Sequence, residues 1–323
     1  MKAKESRLRF MKSSKLRTTW DGANFVVRIY HPKGLYPRGR VAHRDALFYA
    51  DDTIVFSVTR SVRWSSADKE APCTEMDWLS LDELRLLGSI QLCERWGYGK
   101  VVFYPVPSYA RVIDRRSLDL TSEAVAGEIR RLVTHDLHWP DRTFTSDLMR
   151  ECLSLRYSFL DDGEIEMTRQ EVFWNAISTS DYVLLRGLSS LFRSDMLSRH
   201  QEFFEEATMQ CFVALDASFQ LIVKKLKKAG LAQPTAKDAA LWLHENFDSH
   251  LGFQAPLDRY FQEFYDQRVM TLHPASRLGE TPYAPLMHDD YFHLRDSLRA
   301  IFAYLVSGKH DDGFAQAVAA YRS

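Results

Sequence analysis

The chain predicts an α+β protein: an N-terminal mixed α/β domain over residues 1–167, followed by a C-terminal antiparallel helical bundle over residues 168–323. Three observations carry that expectation. Short β-branched and aromatic runs, separated by turns rich in Asp and Gly, fill the first half. Long runs with apolar residues at three- and four-residue steps fill the second. The composition is 46% hydrophobic and 26% charged over 323 residues, ordinary for a globular chain with room for two cores.

In chain order, Phe25–Ile29 and Ala46–Tyr49 have strand character, and Asp51-Asp52 makes a turn into Thr53–Arg60, where Ile54, Phe56 and Val58 alternate with polar neighbours. Glu75–Cys93 predicts a helix. Lys100–Tyr104 predicts a buried strand ended by Pro105 and Pro107. Leu153–Phe159 and Glu164–Met167 flank Asp162-Gly163, a dipeptide suited to a type I′ hairpin turn. Arg169–Phe192 predicts one helix and His200–Ala229 a longer one, closed by Gly230. Thr235 with Asp238 forms a capping box that opens Ala236–Phe247. Leu257–Leu272 follows, and Asp289 is placed to cap Tyr291–Val306. Short connections between such helices imply antiparallel packing.

Net charge is −1, so no global basic field points to nucleic acid, and residues 168–323 carry fewer Lys and Arg than Asp and Glu. The first seventeen residues are basic (Lys2, Lys4, Arg7, Arg9, Lys12, Lys15, Arg17) and read first as a solvated arm. The four cysteines form no CxxC pair and no secretory h-region opens the chain, so a cytoplasmic protein with reduced thiols is expected. No apolar run approaches the roughly 20 residues a membrane span needs. The Gly-rich phosphate loops, the dinucleotide fingerprint and the G-x-S-x-G elbow are all missing. His135 and His138 stand three apart without a third ligand nearby, so neither a metal nor a cofactor is expected.

The most informative stretch is Tyr265-Asp-Gln-Arg-Val-Met-Thr-Leu-His-Pro274. Leu257, Phe261, Phe264 and Arg268 fall at helical spacing, which puts a guanidinium on an apolar stripe. There a charge is costly unless something pairs with it. Pro274 pushes His273 out of the helical region, so the helix should break and let the two cationic groups converge. Asp216, beside Phe212, Leu215 and Phe219, is a candidate carboxylate to orient a cation. A plainer account pairs Arg268 with Asp216 or Glu206 inside the bundle and makes His273 a helix C-cap.

Over roughly residues 199–307, the R-x4-H pair Arg268/His273 at a helix end, the long helix bearing Leu215-Asp-Ala-Ser-Phe219, and the loop from His273 to Leu286 leading into Asp289-Asp290-Tyr291 resemble the HEPN superfamily of helical-bundle ribonucleases and RNA-binding domains. The resemblance implies a homodimer joined through the helical domain, with two arginines and two histidines in one cleft. It also implies metal-independent cleavage of RNA, often in phage defence or as a toxin. Val269 stands where active members often carry a polar residue, which keeps a non-catalytic RNA- or protein-binding module as the alternative. Residues 1–167 resemble no family and are expected to be a regulatory or sensing domain on which an unidentified trigger acts.

Overall fold

Asp51 sets the hairpin between two central strands of the sheet. Its Oδ1 accepts hydrogen bonds from the Thr53 backbone N (2.8 Å), Thr53 Oγ1 (2.7 Å) and the Ile54 backbone N (3.0 Å), an Asx turn that reverses the chain. It joins β4 (Ala46–Asp51) to β5 (Ile54–Arg60). With β1 (Asn24–Ile29), β3 (Gly39–His43) and β6 (Arg111–Asp114) these strands form an antiparallel sheet of order β3-β4-β5-β1-β6. The two-residue strands β2 (Leu35–Tyr36) and β7 (Ser158–Phe159) pair in parallel beside it. The computed structural model describes residues 24–60, 79–106, 111–114, 118–137, 156–256 and 288–322.

The chain divides into two compact units, residues 1–86 with 104–159 and residues 87–103 with 160–323. In the sheet unit, period-two alternation sends Phe25, Val27, Ile29, Phe56 and Val58 to one face. There they pack against Ala126, Ile129 and Val133, which share one side of α2 (Glu123–Leu137) at helical spacing. On the opposite face the buried Glu83 carboxylate accepts from Tyr30 Oη (2.8 Å), Ser57 Oγ (3.2 Å) and Arg28 Nε (3.0 Å). Glu83 belongs to α1 (Leu81–Gln91), whose N-terminus Ser80 caps through the Glu83 amide (3.1 Å).

The helical unit is built on the pair α4 (Tyr182–Leu197) and α5 (Phe204–Lys228), with α7 (His288–Ser307) laid along both. Gly187 makes the close approach possible: a Cβ there would sit 2.5 Å from the Phe302 ring and 3.2 Å from Ala217 Cβ. α3 (Gln170–Ala176), α6 (Ala236–Asn246) and α8 (Asp312–Arg322) complete the unit. Gly230, at φ +103°, ends α5, and the Thr235/Asp238 box opens α6 with both of its hydrogen bonds formed.

Several expectations need correcting. The boundary falls at 159/160 rather than 167/168, and residues 87–103 belong with the helices. Asp162-Gly163 turns the chain, but neither residue has the positive φ of a type I′ turn, and no hairpin forms. Ser158–Phe159 pairs instead with β2, while Ile165 bridges Glu94. Val101, Val102 and Phe103 are fully buried as expected, yet among the described residues the segment 100–104 forms no strand. Arg169–Phe192 is not one helix: Ser178 Oγ takes the Ser180 amide and Asp181 caps α4 through Leu184 N (3.4 Å), so the chain breaks between α3 and α4. Asp289 lies inside α7 rather than at its cap.

Candidate functional site

Arg268 and His273, with the whole expected helix Leu257–Leu272, lie outside the described residues. The structure fixes their flanks, α6 ending at Asn246 and α7 beginning at His288. Asp216 is described, and it is exposed, as is Glu206. The helix turns the Asp216 carboxylate away from the buried Leu215 and Ala217, so it is no half-buried charge in search of a cation.

The polar centre of the helical unit lies elsewhere. Arg295, on α7, is fully buried. Its Nε and Nη2 donate to Asp195 Oδ1 (2.8 Å) and Oδ2 (2.6 Å), a two-pronged grip on one carboxylate. Its outer edge takes a second carboxylate: Nη2 donates to Glu94 Oε1 (3.0 Å), and Nη1 to Glu94 Oε2. Gln91 Nε2 also reaches Asp195 Oδ2 (3.2 Å), and Val101 N reaches Glu94 Oε1 (2.8 Å). Lys100 Nζ lies 4.0 Å from Asp195 Oδ1 and 4.2 Å from the centre of the Phe292 ring. Two cations thus face two buried anions, with the partly exposed Asp296 at the outer edge, 3.5 Å from Arg295 Nη1.

Burial governs the titration of this cluster. It pushes the Glu94 carboxyl up against the opposing pull of Arg295, and it pushes Lys100 down. Arg295 stays charged: burial opposes its charge, and Asp195 with Glu94 more than offsets that. Two further buried polar groups adjoin. Arg299 Nη1 donates to Asp311 Oδ2 (2.9 Å), whose Oδ1 accepts from the Trp96 (3.1 Å) and Phe314 (2.9 Å) amides. Ser194 Oγ meets Tyr291 Oη (2.7 Å), Cys211 Sγ (3.1 Å) and the Ala207 carbonyl (2.8 Å), and burial raises the Cys211 thiol to about 12.

These groups tie the helices of the unit together. Arg295 has its outward edges committed to carboxylates, which leaves no fork to receive a phosphate. A thiol held at about 12 is a poor nucleophile near neutral pH. Among the described residues no group of three or more His, Cys, Asp or Glu could hold a metal, and no helix is long and apolar enough to cross a membrane.

Sequence reasoning overlooked Arg295, although the signal was present. Tyr291, Arg295, Leu298 and Phe302 follow the same helical spacing that singled out Arg268. No protein family, curated protein or solved structure matches the chain.

Proposed function

We propose that the chain is a metal-independent RNA endonuclease of HEPN type, with Arg268 and His273 as its catalytic pair. The observation that carries this reading is the R-x4-H spacing, ended by Pro274, between two helices of a helical unit. In the proposed reaction the ribose 2′-OH attacks the adjacent phosphorus. The P–O5′ bond breaks, leaving a 2′,3′-cyclic phosphate and a 5′-OH. His273 moves the proton, and Arg268 stabilises the charge that builds on the phosphoryl oxygens. Arginine suits this role because its planar fork stays charged and binds two oxygens together.

The reading includes RNA as substrate, a homodimer that doubles the motif about its axis, and a cytoplasmic toxin or phage-defence effector controlled by a trigger at the sheet unit. Asp216 enters it only as a candidate orienting carboxylate that faces solvent. The test compares wild type with Arg268→Ala and His273→Ala for RNA integrity after incubation with purified full-length protein. Loss of cleavage in both variants with unchanged melting supports the pair. RNA retained without cleavage by the wild type would favour the binding-module alternative.

A further inference from the structure

We infer that residues 94–100 form a latch on α7 and α8, able to open while the rest of the helical unit stays folded. This inference stands apart from the ribonuclease reading and uses none of its residues. The loop runs from Glu94 to Lys100 and turns at Gly97, whose φ of +74° suits glycine. It grips α7 through Glu94 on Arg295 and Lys100 on the Phe292 ring. Its hold on α8 is the Trp96 ring, edge-on to Phe314 at 5.6 Å, with Tyr98 Oη reaching Gln316 (3.4 Å). A Cβ at Gly313 would stand 2.9 Å from both the N and O of Trp96, so that glycine lets the loop backbone lie flat on α8.

Three features make the grip reversible. The first is charge balance. Removing one partner of a buried ion pair is costly because the other is left uncompensated. Here neither side is left alone: with the loop lifted, Arg295 keeps both hydrogen bonds to Asp195, and Arg299 keeps Asp311. The Glu94 carboxylate leaves together with Lys100 and gives up the Val101 amide, which stays with the buried flank. The second is incomplete satisfaction. Among the described residues Lys100 Nζ donates to no hydrogen-bond acceptor, so docking holds that ammonium dry without full compensation. Burial works against both loop charges in the closed state, raising Glu94 and lowering Lys100. The third is where the apolar burial lies. Leu92, Cys93, Val101, Val102 and Phe103 flank the loop and are fully buried, whereas Gly97 and Tyr98 are exposed and Arg95, Trp96, Gly99 and Lys100 are half-buried. The flanks anchor the loop together with its root, where Glu94 is buried and its backbone bridges Ile165 and Arg95 N donates to Glu164 O (3.2 Å), while the tip is free to lift, a low-stability element within a stable one.

The latch sits on the helix that follows the Arg268–His273 segment. The flanks run on covalently to Leu86 and Tyr104 of the other unit. Hydrogen exchange on the intact chain tests this, because the Trp96 and Val101 amides are protected by the latch carboxylates Asp311 and Glu94. In wild type, Trp96 and Val101 should exchange about tenfold or more faster than the α4 and α5 core amides. Glu94→Gln should speed those two about tenfold again and leave α4, α5 and α7 unchanged. Asp195→Asn, which removes the charge Arg295 keeps, should instead speed exchange along α7. Equal protection of the latch and α4/α5 in wild type would overturn the inference. So would a Glu94→Gln effect spread evenly over the unit. Should Glu94→Gln fail to fold, the wild-type pattern alone decides.

Discussion

Arg295 and Asp195 meet through two parallel hydrogen bonds of 2.8 and 2.6 Å, both side chains wholly out of water. Replacing Arg295 with Met keeps much of the volume but strips Asp195 and Glu94, both buried, of their hydrogen-bonded cation. The expected loss is about 3–5 kcal/mol in chemical denaturation of the full chain. Adding Glu94→Gln and Asp195→Asn to Arg295→Met should recover a large part of it. A loss below about 1 kcal/mol would mean the cluster is hydrated.

Two helical glycines should respond in opposite directions to alanine. At Gly187 the new methyl meets the fully buried Phe302 ring at 2.5 Å, so α4 and α7 must separate, at a cost of about 1–3 kcal/mol. At Gly127, inside α2, it meets nothing within 4 Å, and Gly127→Ala should stabilise by about 0.5–1 kcal/mol. Equilibrium unfolding of both variants checks the pair, and equal effects would contradict the packing at Gly187.

His310 is stacked against Phe314 (4.0 Å) and Tyr304 (4.5 Å), and burial lowers its pKa. The fold therefore prefers the neutral ring. That preference contributes stability above the unfolded-state value of about 6.5, and the contribution is lost as pH falls through the lower folded-state value. Melting temperature should drop between about pH 7.5 and 5.5. His310→Phe keeps a ring in the stack without a titrating group, so it should flatten that slope. An unchanged slope would assign the effect to other groups.

If the ribonuclease reading holds, cleaved RNA carries 2′,3′-cyclic phosphate and 5′-OH ends, and EDTA leaves the rate unchanged. Light scattering of the full chain should give about twice the monomer mass. The full chain is the right material, because a fragment of residues 168–323 lacks Glu94, Trp96 and Phe103 and with them part of its own core. Such a fragment should show weakened near-UV circular dichroism and a broad melt, whereas the intact chain melts cooperatively.

The sequence made the locally signalled features legible. The Asp51 turn, the Thr235/Asp238 box and the Gly230 stop each act over a few residues, and each was found where its chemistry places it, whereas the strand Ile54–Arg60 forms but is buried on both faces rather than alternately. Ser178, Ser180 and Asp181 carried a break that the apolar period concealed. The strand Gly39–His43 reads as polar, and it is set by pairing with β4 rather than by its own composition. What no local signal marks is the assignment of residues 87–103 to the helices. That follows from distant contacts, among them Phe103 on Phe192 and Glu94 on Arg295, the latter at a separation of 201 residues.

That separation has a consequence for synthesis. At about 5–20 residues per second, roughly 10–40 s pass between translation of Glu94 and translation of its partner. During that interval the early segment can already meet α4, where Gln91 reaches Asp195 and the Phe103 ring meets Phe192 at 5.6 Å. Glu94 and Asp195 then stand as neighbouring carboxylates until residue 295 is made, and the guanidinium that balances both is the last member of the cluster to be synthesised.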